Sequence, residues 1–138
     1  MITNIKGKII KIGVDWMDID LGPIALRINV PNSSISTLGK TGDTITLFTS
    51  MQVREDSMTL YGFESDESKA SFESLISING VGPRLGLAVM SMFSVSDLMQ
   101  AVNTEDQLAF SRVPGVGKKT AGRIILELKG HLSKDFSE

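Results

Sequence analysis

A chain of 138 residues, 41% apolar and 22% charged, suits one ordinary domain or two small ones and excludes a disordered tail or a fibre. Zero cysteines exclude a disulfide frame and a thiolate metal site, and the single histidine, His131, argues against a histidine-based metal centre. The net charge of −2 weighs weakly against a nucleic-acid partner, yet Arg112, Lys118, Lys119, Arg123 and Lys129 crowd into residues 110–130 against one acid, Glu127, so positive charge is concentrated rather than absent.

The N-terminal run MITNIKGKIIKIG alternates apolar and charged residues, unlike a signal peptide, and no apolar run approaches the roughly 20 residues that span a bilayer. A soluble, cytoplasmic protein is the expectation. Up to Phe63 the apolar period is two. KGKIIKIGV, WMDIDL, IALRINV, DTITLFTSMQV and MTLYGF are rich in Ile, Val, Thr and Leu and are separated by Gly, Pro, Asp and Asn. Five short strands with an insert, NSSISTLGKTG, before the fourth predict an OB-fold barrel over residues 1–64, with a five-stranded open sheet as the alternative. The fourth and fifth runs meet at VREDSM, where two adjacent carboxylates, Glu55 and Asp56, stand on a short polar stretch. Such a pair can serve catalysis, hold half of a metal site, or be two solvated turn residues.

From Glu64 the period becomes helical. ESKASFESLISI places Phe72, Leu75, Ile76 and Ile78 broadly on one face. Ser94 and Thr104 are the expected N-caps of SVSDLMQAV and TEDQLAF, and KKTAGRIILELKGHL is an amphipathic helix closing on Gly and basic residues. The predicted architecture is therefore α+β in two domains, an all-β module over 1–64 and an all-α module over 65–138.

The helical half repeats itself. LISINGVGPRLGLAVM (75–90) aligns with FSRVPGVGKKTAGRII (110–125) at an offset of 35, with Gly80-Val81-Gly82 over Gly115-Val116-Gly117 and Arg84 over Lys119. Each copy is an apolar helix end, a G-V-G turn and a new helix, the helix-hairpin-helix pattern. Glycine permits a tight turn and close backbone approach. The first N–H groups of the following helix lack intrahelical partners and sit at the positive dipole end, which suits a phosphate oxygen. Contacts of this kind grip the backbone of DNA without reading its sequence. Either turn alone could be mere geometry; two aligned copies, each followed by a basic residue, point to a DNA-backbone binder.

These motifs carry a resemblance. The M-I-x-x-I-x-G start, VREDSMTLYGF, NGVGPRLGLAV and VPGVGKKTAGRIILELKG together resemble the RuvA family of Holliday-junction recognition subunits over nearly the whole chain. The resemblance implies an OB-fold, a tandem hairpin domain and a homotetramer, or an octamer of two, on an open four-way DNA junction. It also implies the partners RuvB, an ATPase, and RuvC, a resolvase, and no cofactor. It implies phosphate contacts at Gly80, Val81, Gly82 and Arg84 in the first copy. In the second copy they fall on Gly115, Val116, Gly117, Lys118, Lys119 and Arg123. Glu55 and Asp56 fall on the family's acidic pin. On a fourfold axis, carboxylates from four subunits would face the crossing strands. Each repulsion is only roughly 0.7 kcal/mol in water at about 6 Å, but several together oppose a continuous duplex. The family also carries a third helical domain that engages the ATPase; this chain stops at Glu138 without it, so that domain is expected to be either cut away or missing.

Other signals weigh less. Trp16 and Tyr61 suit barrel core or rim better than base-stacking platforms. His131 at a helix end suits the dipole. Met90, Met92 and Met99 suit packing. GVGKKT is too short for a phosphate-binding Walker loop, so ATP binding belongs to a partner. Pro83 removes one N–H donor from the first hairpin, which should grip phosphate less well than the second. Gly86 and Gly122 lie inside helices, where glycine costs about 1 kcal/mol relative to alanine, and close helix packing is the one candidate reason. The rival reading is a hairpin-containing DNA glycosylase of the lyase kind, with Lys119 as nucleophile and Asp135 as its acid. The β-rich first half and the absence of cysteine stand against it.

Overall fold

The computed structural model describes the backbone of residues 1–136 and the side chains of residues 1–130. Its contacts divide it into two compact units that meet between Lys69 and Ala70, a few residues beyond the 64/65 boundary expected from the change of period.

The first unit is a closed barrel. Strands β1 (Asn4–Ile12), β2 (Trp16–Asp20), β3 (Ala25–Asn29), β4 (Thr44–Arg54) and β5 (Ser57–Phe63) run in the order β1-β2-β3-β5-β4. Closure selects the OB-fold over the open sheet. Strand β1 makes it possible by serving two partners: Asn4–Lys8 pair with β4, and Lys8–Ile12 pair with β2 across a bulge between Ile9 and Lys11. The circle is completed by parallel pairing of β3 with β5 at Ile28↔Leu60 and Asn29↔Tyr61. Alternation sends Ile5, Ile9, Met17, Ile19, Ile28, Val30, Leu47 and Leu60 inward as one core. Gly62 is needed there, since a Cβ on it would stand 2.6 Å from Ile28 Cγ2. The insert before β4 forms a 3-10 turn at Asn32–Ser34 and the four-residue helix α1 (Ile35–Leu38), which sequence reading left unassigned.

Trp16 is half-buried and braced. Its ring fills the space that a side chain at Gly13 would need, and the Arg27 guanidinium lies 3.8 Å from the ring centroid. Arg27 in turn clamps Asp18 through two bonds, from Nε at 2.8 Å and from Nη2 at 3.0 Å. A ring covered in this way is not an open stacking platform. Tyr61 is half-buried on β5.

The second unit contains α3 (Pro83–Met92), α4 (Val95–Asn103), α5 (Gln107–Ser111) and α6 (Lys118–Phe136), and most of α2 (Asp66–Ile76). Phe72, Leu75, Leu87, Val89, Leu98, Val102, Phe110 and Ile124 are buried. Gly86 now has its reason: a Cβ there would meet Ile76 Cγ2 at 2.8 Å and Phe72 Cε1 at 3.3 Å, so glycine lets α2 and α3 pack closely. Gly122 has no such constraint, its nearest neighbour being Gln107 Nε2 at 3.6 Å. Met90 is buried, Met99 half-buried and Met92 half-exposed. The last helix does not close at Gly130 or His131 but runs on to Phe136; the side chains of His131 and Asp135 lie outside the described residues. Among the described residues no single helix is long and apolar enough to cross a membrane.

Candidate nucleic-acid interface

The two hairpin turns are the same backbone twice. Ile78 N donates to Leu75 O at 3.1 Å and Val81 N to Ile78 O at 3.0 Å; thirty-five residues on, Val113 N donates to Phe110 O at 3.1 Å and Val116 N to Val113 O at 3.0 Å. Gly80 and Gly115 both have φ +93, a region that a side chain strains. Ile78, Val81, Val113 and Val116 point inward and are buried. Val81 and Val116 therefore anchor the turns, with side chains in the core and N–H groups bonded within the turn.

Helices α3 and α6 then start on Gly82 and Gly117. Neither glycine is required by the fold. Gly82 has φ −84 and ψ 173, which any residue adopts, and neither has an atom within 4 Å of where its Cβ would stand. Helices α4 and α5 start differently. Ser94 caps α4 by accepting from Asp97 N at 3.0 Å, as expected, and Asp106 caps α5 by accepting from Ala109 N at 3.1 Å. Thr104, the expected cap of α5, instead ends α4, its hydroxyl donating to Gln100 O at 2.8 Å; Glu105, at φ 54, separates the two helices. Self-capped helices satisfy their own first N–H groups. A glycine start supplies no such side-chain acceptor, and the first N–H groups stand at the positive end of the dipole.

Arg84, Lys118 and Lys119 are exposed around these starts. Lys129, counted in the basic segment, is tied to Glu105 at 3.0 Å. Arg123 is exposed, but its Nη1 donates to Asn79 O at 3.1 Å, so the second hairpin's helix reaches the first hairpin's turn. That crossing has no signal in the spacing of the repeat.

In the barrel unit, Glu55 and Asp56 form the whole connection between β4 and β5, with Arg54 paired to Ser57, and both are exposed. The ribbon outruns the barrel: β4 pairs with β1 only over Thr44–Phe48, whereas its pairing with β5 continues to Arg54. Near its tip the cross-strand pair Val53 and Met58 is 61% and 71% exposed. Two-residue hairpins ordinarily draw on Asn-Gly or Asp-Gly to adopt positive φ. Glu55 and Asp56 are not among the positive-φ residues, so turn geometry does not explain the choice of two acids.

Fold and site define the class: an OB-fold barrel joined to a tandem helix-hairpin-helix domain with paired glycine turns. Residues 1–62 match the family described as the RuvA N terminal domain, and residues 72–129 match the SAM-like helix-hairpin-helix tandem. The chain is similar to the Holliday junction branch migration complex subunit RuvA of Herpetosiphon aurantiacus, 43% identical over 94% of this chain and 66% of that protein. It is 42% identical to the subunits so named in Thermoanaerobacter sp. and Bordetella pertussis, over 99% of this chain and 73% and 72% of theirs. The chain belongs to the RuvA family, and it spans roughly two thirds to three quarters of the length of these relatives.

Proposed function

We propose that the chain binds four-way (Holliday) junction DNA through its phosphates, without reading sequence, and holds the junction open for branch migration in recombination and repair. The observation that carries this reading is the pair of helices started by Gly82 and Gly117, where the fold itself has no need of glycine. The relatives are named as subunits of a Holliday junction branch migration complex, which supplies the substrate.

In this reading each turn offers one phosphate the first N–H groups at the start of its second helix. In the first copy these lie beyond the Gly80 turn at Gly82 and Arg84, since Pro83 has none, with the Arg84 guanidinium adding charge. In the second they lie beyond the Gly115 turn at Gly117, Lys118 and Lys119, with both lysines adding charge. Val81 and Val116 hold the turns in shape. Glu55 and Asp56 form a pin at the end of a projecting ribbon, where its charge disfavours duplex running straight through and favours strands that part. The chain does no chemistry. Strand movement belongs to an ATPase partner, RuvB, with RuvC as the resolvase, and a homotetramer or an octamer of two presents four pins around one axis. A cytoplasmic location fits these partners.

The test is fluorescence resonance energy transfer between dyes on the four arm ends of a junction in magnesium, where free junctions stack their arms in pairs. Bound chain should make all adjacent arm pairs equivalent, as in an open square. Arms that stay paired when the junction is saturated would refute the reading.

A further inference from the structure

We infer that Arg123, although borne on the helix of the second hairpin, serves the phosphate held by the first. This rests on the phosphate reading of the hairpins and deepens it by reassigning one cation. Arg123 lies one turn into α6, and its Nη1 donates to Asn79 O, the carbonyl just before the Gly80 turn. A Cβ placed on Gly80 would stand 3.9 Å from that same Nη1. The guanidinium therefore lies against the first turn, with the carbonyl bond fixing it there. A guanidinium carries several donors in a rigid fork and stays charged, so one bond to a carbonyl leaves others for an anion.

The crossing is reciprocal. From α3, Leu85 reaches the second turn, where a Cβ on Gly115 would stand 3.1 Å from Leu85 Cδ1. Each turn is thus overlaid by a side chain from the other hairpin's helix, with charge crossing one way and an apolar group the other. This sets the balance between the copies. Pro83 takes the place that Lys118 holds in the second copy, so the first hairpin lacks one N–H and one cation. With Arg123 added, the first turn has Arg84 and Arg123, and the second has Lys118 and Lys119. The weaker grip that Pro83 alone implies is offset by a residue 40 positions further along the chain.

Phosphate-ethylation interference on a four-way junction tests this directly. Arg84→Met and Lys119→Met first define the phosphates belonging to each hairpin. Arg123→Met should relieve interference at the Arg84 set and leave the Lys119 set unchanged, while lowering the slope of log K against log salt by about one. Arg123→Lys, which keeps the charge, should weaken the Arg84 set without abolishing it and provides a second variant should Arg123→Met lose its fold. Relief at the Lys119 set, or at neither, overturns the inference while the phosphate reading stands. If Arg84→Met and Lys119→Met themselves relieve nothing, the hairpins do not grip phosphate and both readings fall.

Discussion

Four helix starts in the second unit divide by how they treat their first N–H groups. Helices α4 and α5 are closed by their own side chains, Ser94 and Asp106. Helices α3 and α6 begin on glycines that neither φ nor space demands. A serine cap in their place would change stability by only a few tenths of a kcal/mol. Glycine there answers no need of the fold, and under the proposed function it leaves those N–H groups to the DNA. The closed starts build the unit, and in that reading the open starts serve the ligand.

Substitution can break that division from either side. The largest effect should come from closing the open starts. Gly82→Ser and Gly117→Ser fit both sites and supply an oxygen that takes up the helix N–H groups, so each should cost about 1.5–3 kcal/mol in junction affinity, the worth of a hydrogen bond to a charged group, with little change in melting temperature. Equal affinity by titration would show that those N–H groups are not used.

The two helix-interior glycines should part ways in stability. Gly86→Ala drives a methyl to within 2.8 Å of Ile76 Cγ2 and should cost about 1–3 kcal/mol by chemical denaturation. Gly122→Ala has room and should stabilise by about 0.5–1 kcal/mol. Ser94→Ala and Asp106→Ala, opening the closed starts, should each cost about 1 kcal/mol of stability and leave DNA affinity unchanged. A drop in affinity at constant stability would erase the distinction between the two kinds of start.

The smallest effect belongs to the barrel. The hydrogen bonds from Arg27 hold the Asp18 carboxyl below its ordinary pKa, against the opposing effect of burial. A depressed pKa contributes stability above the unfolded value of about 3.9 and loses it as pH falls through the folded value. Asp18→Asn should therefore narrow the gap to the parent as acid denaturation proceeds. A gap that is constant with pH would show the pair to be idle.

What the sequence disclosed depended on locality. The periods of two and 3.6, and the 35-residue offset, are local patterns, and they located the barrel, the helical unit and both turns. Strand count and the insert pointed to a barrel, but the pair of strands that closes it was not legible, because β3 meets β5 across about 30 intervening residues and nothing in either strand names its partner. Thr104 was misplaced because T-E-D-Q holds two capping residues, and the cap bond goes to Asp106, which accepts from Ala109 N, while Thr104 bonds back to Gln100 O. Gly86 needed Ile76 and Phe72 in place before its absence of a side chain made sense. Arg123 was visible as a basic residue of the second hairpin, but its reach to Asn79 depends on how the two copies pack.

The most direct test of structure-selective phosphate binding is a gel-shift titration on a four-way junction and on linear duplex of equal length, at two salt concentrations, with the parent and a Glu55→Gln, Asp56→Asn variant. The parent should show a strong junction preference and an affinity that falls steeply with salt, and the variant should bind duplex more tightly and lose much of that preference. Equal binding of the parent to both DNAs, or a preference untouched by removing both acids, would contradict structure-selective binding.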